Sequence, residues 1–332
     1  MVSINTVTGK VDSTQLGCTL VHEHLLVRSD SVAVQFPHLY DDEDNFLKAV
    51  EQVKAVKAQG IQTICDPTVM GIGRDIRFME RVAHETEMQI IAATGIYSYS
   101  DIPPIFQNRD IDYLADVFVR DIEVGVQNTS IKAGFLKCTA DEPGITSDLD
   151  KVFRAIARAQ KKTGVPIMTH SHPASENGLK QLDIFKEEGV DPQYIMIGHC
   201  GDTDNIDYIL KILNKGAFIG MDRYGQAPLA YEKRNSTLVE LVKGGYSNRM
   251  FLSQDYCCSF DWFPPEHEFF KQYPNWSMTF LLNEVIPNLR NEGVSEADIH
   301  TMMYDNVRRW FEGSYELDST DEKSERIAIR EG

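Results

Sequence analysis

Residues 166–222, PIMTHSHPASENGLKQLDIFKEEGVDPQYIMIGHCGDTDNIDYILKILNKGAFIGMD, decide the fold. Three short apolar runs, Pro166–His170, Ile195–His199 and Ala217–Asp222, are separated by two segments of helical period, Gly178–Glu188 and Asp204–Asn214. A short apolar run followed by an amphipathic helix is typical of a βα unit, and strands that are apolar throughout are covered on both faces. This stretch therefore predicts neighbouring parallel strands joined by helices.

The same alternation extends to both sides of this stretch and gives eight apolar runs in total. The other five runs are Cys18–His22, Thr63–Asp66, Ile90–Tyr97, Gly134–Cys138 and Met250–Asp255. Helical patterns fill the remaining gaps, at 42–60, 75–86, 111–126, 148–163 and 237–243, and two more follow at 277–291 and 296–313. Eight parallel strands with crossover helices close most simply as a barrel, and the glycine-rich phosphate loop of an open doubly wound sheet is missing. We predict an α/β fold, a single (β/α)8 TIM barrel over residues 1–315 with C-terminal helices.

The composition limits the class of protein and its partners. The 332 residues are 42% apolar and 25% charged, which is the balance of a globular protein, while the net charge of −17 repels nucleic acid and anionic lipid. The N-terminus lacks a signal-peptide pattern, and no run reaches the roughly 18 apolar residues of a membrane span. We expect a cytoplasmic protein with neither a nucleic-acid nor a membrane partner. Residues 316–332 are charged and poor in apolar side chains, which predicts a mobile tail, and the six cysteines show no C-x-x-C spacing that would favour a disulfide framework.

Side chains of the kind that bind metals end five of the eight predicted strands, and the carboxyl ends of barrel strands share one mouth. These side chains are His22, His24, Lys137, His170, His199 and Asp255. Taken singly, the histidines can be satisfied core residues, and Asp255 can cap a turn. Lys137 is harder to explain in this way, because a lysine at the end of a buried strand needs a partner. Together the residues predict one shared site.

Imidazole and carboxylate ligands suit zinc, cobalt, manganese or iron, and the lack of paired cysteines argues against a structural zinc site. Two such ions a few ångströms apart need a bridging anion. A neutral lysine supplies one when it reacts with carbon dioxide to give a carbamate, and nearby cations favour this reaction because they lower the pKa of the amine. Without the carbamate, Lys137 would repel the ions.

Several motifs resemble those of a known family. They are HEH (22–24), GFLK (134–137), MTHS (168–171), IGHCGDTDNIDY (197–208), GMDRYG (220–225) and SQDYCC (253–258). The set is similar to that of the phosphotriesterase-like lactonases, which belong to the phosphotriesterase family of the amidohydrolase superfamily. The resemblance extends from about Gly9 to Gly313, and DPTVMGIGRDIRFM (66–79) and ADEPGIT (140–146) match in the same order.

This resemblance implies a dinuclear hydrolase. His22, His24 and Asp255 would hold a buried ion, and His170 and His199 a more exposed one. Carboxylated Lys137 and a hydroxide would bridge the two ions, and Asp255 would collect a proton and pass it to the leaving alkoxide. Members of the family tend to form homodimers, so a homodimer is expected here.

The resemblance also implies a substrate. Tyr97 matches a tyrosine that contacts the lactone, and Arg223 occupies a position where true phosphotriesterases carry a histidine. Both are expected to act with Asp255 in substrate binding and catalysis, and Asp202 is expected to orient polar groups near His199. These features favour a lactonase of the quorum-quenching type that opens N-acyl-homoserine lactones and related γ- and δ-lactones. Weak activity on paraoxon-type triesters would accompany it.

The loop after the eighth predicted strand, CCSFDWFPPEHEFFKQYPNW (257–276), is long, aromatic and proline-containing. Such a loop is suited to shape an apolar channel over the mouth for an acyl chain, and Trp262 is the candidate for its lining, although a packed loop anchor explains it nearly as well.

Three other functions stay open. Phosphotriesters could be the main substrate, because a pair of metal ions serves phosphoryl and acyl centres alike. Lys137 could form a Schiff base in an aldolase-type barrel. The chain could also be a ligand-binding barrel without catalysis, although all six candidate ligand positions are filled.

Overall fold

A computed structural model describes residues 2–226 and 229–314. The tail predicted at 316–332 lies outside the described residues. The strands, in chain order, are β1 (Ser3–Thr6), β2 (Gly9–Asp12), β3 (Thr19–Leu20), β4 (Glu23–His24), β5 (Thr63–Asp66), β6 (Gln89–Gly95), β7 (Phe135–Thr139), β8 (Ile167–His170), β9 (Ile195–Ile197), β10 (Phe218–Met221), β11 (Met250–Leu252) and β12 (Tyr256–Cys257). All six cysteines are free thiols.

The predicted helical segments are present, but the one predicted from Thr237 begins at Tyr231, and three short helices, Asp30–Gln35, Pro104–Gln107 and Glu268–Gln272, were not predicted. The helices are α1 (Asp30–Gln35), α2 (Asp42–Lys57), α3 (Ile76–Thr86), α4 (Pro104–Gln107), α5 (Ile111–Glu123), α6 (Ser147–Thr163), α7 (Asn177–Glu187), α8 (Ile206–Asn214), α9 (Tyr231–Lys243), α10 (Glu268–Gln272), α11 (Ile286–Asn291), α12 (Glu296–His300) and α13 (Asn306–Glu312). π-helical turns at Leu281–Val285 and Thr301–Asp305 lead into α11 and α13. Among the described residues, no helix combines the length and the apolar character that crossing a membrane requires.

Local chemistry explains where the long helices begin and end. The side chain of Thr146 accepts a hydrogen bond from Leu149 N at the start of α6, and Asp75 does the same for Phe78 N at the start of α3. Helix α6 ends at Gly164, whose φ of 75° suits a left-handed C-cap. These caps set the residues at which the helices begin and end.

Eight parallel strands form one sheet in the order β3, β5, β6, β7, β8, β9, β10, β11. The edges meet through a short parallel pair, in which Tyr256 of β12 lies opposite Glu23 of β4. The buried Glu23 carboxylate strengthens this junction by accepting hydrogen bonds from Gln254 N and Tyr256 N, both at 2.9 Å. The predicted TIM barrel is therefore confirmed.

The amino end of the barrel is closed and the carboxyl end is open. The interior is filled by Ile91, Phe135, Met168, Met196, Phe218 and Phe251, which cluster with Trp310 of α13. Trp310 Nε1 donates to Tyr194 O, and Asn306 Nδ2 donates to Met250 O, so α13 lies against the points where β9 and β11 begin. The unpredicted β1–β2 hairpin adds Ile4 to the same cluster. A functional site therefore has to lie at the carboxyl ends of the strands.

Candidate metal centre at the barrel mouth

Three predicted ligands meet where the first and last strands join. Asp255 Oδ1 lies 3.4 Å from His22 Nε2 and 3.2 Å from His24 Nε2. The ligand atoms of these residues all fall within 4.8 Å of one another, which is close enough to share one ion. Burial alone would raise the pKa of Asp255, but His22, His24 and Arg223 outweigh this effect and hold the pKa well below its usual range. The carboxylate is therefore ionised, as a ligand must be.

Hydrogen bonds from the other ring nitrogen orient both imidazoles. His22 Nδ1–H donates to Asp222 Oδ2 at 2.7 Å, and His24 Nδ1 lies 2.8 Å from Thr68 Oγ1. Because an ionised carboxylate only accepts, His22 keeps its proton on Nδ1 and turns the lone pair of Nε2 towards Asp255. The position of this pair is that of a metal ligand with its orienting carboxylate.

His170 and His199 form a second pair beside the first. His170 Nε2–H donates to Asp141 Oδ2 at 2.6 Å, and His199 Nδ1 lies 3.3 Å from Asp222 Oδ1. Both rings are then left with a lone pair, on His170 Nδ1 and His199 Nε2, and these atoms face each other at 3.0 Å. Two unprotonated nitrogens in this position repel each other unless a cation lies between them, so the donors fit a metal ion.

The pKa values of this pair support the neutral form. Burial lowers the pKa of His170 to about 4 and lowers that of His199 well below its usual value. Neutral imidazole is the form that binds metals. A different set, His22, His199 and Asp222, also has ligand atoms within 4.8 Å of one another, but the oxygens of Asp222 already accept hydrogen bonds from both rings. We therefore interpret Asp222 as the group that orients the rings.

Lys137 reaches the centre from β7. Its side chain is fully buried, and its Nζ lies 3.4 Å from His22 Nε2. Burial lowers the pKa of the amine to about 8. The lysine thus stands among the candidate ligands, as the sequence predicted, and its buried position is unfavourable for a Schiff base with a substrate in the open mouth.

Arg223 links the centre to the loops after β9 and β10. Its Nε donates to Asp255 Oδ2 at 3.0 Å, and its Nη1 donates to Asp202 Oδ2 at 2.8 Å. Burial would lower the pKa of Arg223, but Asp202 and Asp255 outweigh this and raise it well above its usual value. Asp202 is thus brought into the site through Arg223, and its second oxygen accepts from Arg234.

A cavity of about 320 Å³ opens above these residues. One side is polar, and there the Tyr97 hydroxyl lies 3.5 Å from His170 Nδ1 and 2.9 Å from the Tyr99 hydroxyl. Burial raises the pKa of Tyr97 well above its usual value, so the phenol stays protonated. The other side is aromatic, with Trp262, Phe263, Phe269, Tyr273 and Trp276 from the loop after β12. Trp262 is 40% exposed, with its ring 6.3 Å from that of Tyr97.

Several residues around the centre were missed in the sequence. Asp222 ends the predicted seventh strand, where a carboxylate is a signal that could have been read, and Asp66, which ends the predicted second strand and lies 3.8 Å from His24 Nδ1, was passed over in the same way. Asp141 and Thr68 lie in loops, and only their contacts with His170 and His24 identify them.

Comparison with known proteins agrees with this geometry. The sequence model of a protein family described as "Phosphotriesterase family" matches residues 2–311 of this chain. A protein of Saccharolobus solfataricus named "Aryldialkylphosphatase" is 51% identical over 303 residues, which cover 91% of this chain and 96% of that protein. The "N-acetyltaurine hydrolase" of Xenopus tropicalis is 24% identical, over 92% of this chain and 97% of that protein. The solved structure titled "Structure of the phosphotriesterase from Mycobacterium tuberculosis" is 41% identical, covers 94% of this chain and 98% of its own, and superposes with a TM-score of 0.90.

Proposed function

This chain belongs to the phosphotriesterase family, and we propose that it is a lactonase that opens N-acyl-homoserine lactones and related γ- and δ-lactones. It is a metal-dependent hydrolase by family, so the aldolase and the non-catalytic barrel lose their support. The observation that carries the proposal is the Arg223 side chain, which is 20% exposed and binds Asp255 at 3.0 Å beside the aromatic cavity. A guanidinium there can bind the oxygens of an ester while it orients Asp255.

We propose that two divalent ions, of zinc, cobalt, manganese or iron, occupy the centre. His22, His24 and Asp255 would hold one ion, and His170 and His199 the other. Lys137 would join the two sites as a carbamate, which forms when Nζ bonds the carbon of carbon dioxide and releases a proton. When bound, such ions polarise the substrate carbonyl and lower the pKa of water.

The side chains of the protein supply the remaining steps. Asp255 is ionised and central, so it can accept the proton of the attacking water and return it to the alkoxide when the ring opens. The Tyr97 hydroxyl, on the polar side of the cavity, would orient the lactone, and Trp262 would contact the acyl chain. The net reaction joins one lactone and one water to give one hydroxy acid. Where the lactone is an N-acyl-homoserine lactone, this is a quorum-quenching activity.

A second candidate function is the hydrolysis of organophosphate triesters as the main activity. The name of the relative that is 51% identical, "Aryldialkylphosphatase", favours it. Under our leading proposal this activity is present but weak. The ratio of kcat/KM for an acyl-homoserine lactone to kcat/KM for paraoxon decides between the two.

The decisive experiment titrates each metal into apo-protein while ring opening is followed on a panel of lactones. Activity should rise to a plateau at about two equivalents of metal, and Lys137→Ala and Asp255→Asn should each reduce kcat/KM at least about 100-fold. Lys132→Ala, which changes a lysine of a separate surface cavity, is the matched control and should retain activity. Metal-loaded protein without activity on any lactone would overturn the lactonase assignment.

A cytoplasmic location stays a prediction from the sequence. We also propose that the chain forms a homodimer. Support for the dimer comes from an apolar surface at α1 and the turn after it, where Val34, Phe36 and Leu39 are 75%, 52% and 64% exposed. Analytical ultracentrifugation should give the mass of a dimer for the wild type. The double variant Val34→Glu with Leu39→Glu should sediment as a monomer. Val124→Glu, at a residue 56% exposed after α5, is the control that should leave the dimer intact. A monomeric wild type would contradict the proposal.

A further inference from the structure

Arg234 of α9 is a fully buried arginine outside the proposed catalytic set. Its Nε donates to Gly201 O at 2.7 Å, and its Nη2 donates to Asp202 Oδ1 at 2.7 Å. Its Nη1 donates to Arg223 O and, at 3.5 Å, to Gln226 O. Every nitrogen of the guanidinium therefore has an acceptor, and such a complete set is what makes a buried arginine tolerable.

These acceptors belong to two loops that carry the site. Gly201 and Asp202 lie in the turn that follows His199, and Arg223 and Gln226 lie in the loop that follows β10. Both His199 and Arg223 line the cavity, and so does Gln226. One side chain from a helix behind the site thus joins two loops that present different functional groups to the same cavity.

The charges along this contact alternate. Asp255 binds Arg223, Arg223 binds Asp202, and Asp202 binds Arg234, at distances of 3.0, 2.8 and 2.7 Å. Each carboxylate of the row thus binds at least one guanidinium, and the four formal charges cancel. Without Arg234, the second oxygen of Asp202 would lose its partner, and Asp202 would be free to turn and draw Arg223 away from Asp255.

We propose that Arg234 is a positioning residue: by joining the loops after β9 and β10 and by fixing Asp202, it holds the Arg223 guanidinium against Asp255. The inference rests on the proposed function for its kinetic test, but the geometry that it describes can be measured without a substrate. Arg234 itself touches neither the cavity nor the candidate ligands.

The main test replaces Arg234 with methionine, which keeps much of the stem and removes the guanidinium. We expect kcat/KM on the lactone to fall about 10–100-fold, as is typical when the partner of a site residue is removed, with most of the loss in kcat. Arg74→Met is the matched control, because Arg74 also binds a carboxylate and a backbone carbonyl, those of Asp121 and Ala93. It should lower stability and leave kcat/KM within about twofold of wild type.

A second variant keeps all charges. A Cβ on Gly201 would lie 3.2 Å from Cδ and Nε of Arg234 and also 3.2 Å from Cα of Met221 in β10. Because the Met221 backbone yields less easily than a side chain, Gly201→Ala should push the guanidinium by a few tenths of an ångström. This variant serves if Arg234→Met fails to fold. We expect a several-fold loss of kcat/KM and faster hydrogen exchange at Arg223 Nε–H, the group that donates to Asp255.

Exchange at Arg223 Nε–H separates this inference from the proposed function. It should accelerate at least about tenfold in Arg234→Met and stay at the wild-type rate in Arg74→Met, whether or not the protein opens lactones. Unchanged exchange in both Arg234→Met and Gly201→Ala would overturn the role of Arg234. Accelerated exchange in Arg234→Met, together with a wild-type protein that opens no lactone, would overturn only the proposed function.

Discussion

Asp222 serves two imidazoles with one carboxylate. Its Oδ2 accepts from His22 Nδ1 at 2.7 Å, and its Oδ1 accepts from the backbone N–H of His199 at 2.8 Å and from His199 Nδ1 at 3.3 Å. Burial would raise the pKa of Asp222, but His199 and His22 outweigh it and hold the pKa well below its usual range. The ionised carboxylate therefore sets the tautomer and the direction of rings that would bind different ions.

We predict that Asp222→Asn weakens metal binding about 10–100-fold, because an amide turned towards His22 presents a donor where the ring needs an acceptor. Competition with a calibrated chelator measures the change. Asp121→Asn is the control, since Asp121 accepts from Arg74 and Thr94 and touches no candidate ligand. Equal metal affinity in both variants would show that Asp222 does not orient the rings.

Single residues also mark the limit of what the sequence predicts. Residue type and position at a strand end were enough to select His22, Lys137 and Asp255, and the structure brings them together, although their roles remain proposals. Hydrogen-bond partners could not be selected in this way, since Asp222 and His22 are 200 residues apart and nothing local relates them. The hydrogen bonds of the Arg234 guanidinium could likewise not be predicted from the sequence, because three of its acceptors are backbone carbonyls.

At the scale of elements, the strands end earlier than their apolar patterns. The runs predicted to end at His199 and Asp255 stop at Ile197 and Leu252. His199 and Asp255 adopt left-handed backbone conformations, with φ of 64° and 50°, which cost about 1–3 kcal/mol each unless their surroundings hold them. Hydrogen bonds from the backbone N–H of His199 to Asp222 Oδ1 and from that of Asp255 to His22 O hold them. Hydrophobic periodicity carries no information on such a bend, although the bend aims both side chains at the centre.

The contact between β6 and β7 gives a prediction for one element boundary. Gly95 ends β6 with φ of 150°, and a Cβ there would lie 1.8 Å from Lys137 O. Because backbone cannot move aside as a flexible side chain does, Gly95→Ala should displace the strand that carries Lys137. We expect it to lower the free energy of unfolding by about 2 kcal/mol more than Gly9→Ala.

Gly9→Ala is the matched control for this comparison. Gly9 has φ of 131°, but a Cβ there meets nothing within 4 Å, so its substitution reports backbone strain alone. Urea unfolding followed by circular dichroism measures both variants. If both variants lose the same free energy of unfolding, then β6 and β7 accommodate the added methyl group at Gly95 without destabilising the fold.

At the scale of the whole molecule, the hydrophobic period and the length of the segments were sufficient to predict the barrel architecture. Eight apolar runs with helices between them have few ways to close, and the sheet has the predicted parallel order. The sequence did not predict how the barrel closes. β3 is only two residues long, so the junction depends on the β4–β12 pair and on Glu23, a buried carboxylate that no apolar pattern includes.

The candidate centre also couples the site to the stability of the whole barrel. The ligand side chains come from strands at opposite ends of the chain, from His22 near β3 to Asp255 after β11, so an ion bound by them would tie the closing strands together. Ions that bind only the folded state stabilise it by about 4 kcal/mol at 1,000 times the dissociation constant. Chelation should therefore lower Tm by about 5–10 °C, given the size of the chain. Adding back metal should restore Tm in the wild type but not in the double variant His22→Ala with Asp255→Asn. If the chelator leaves the wild-type Tm unchanged, metal binding does not stabilise the closed barrel.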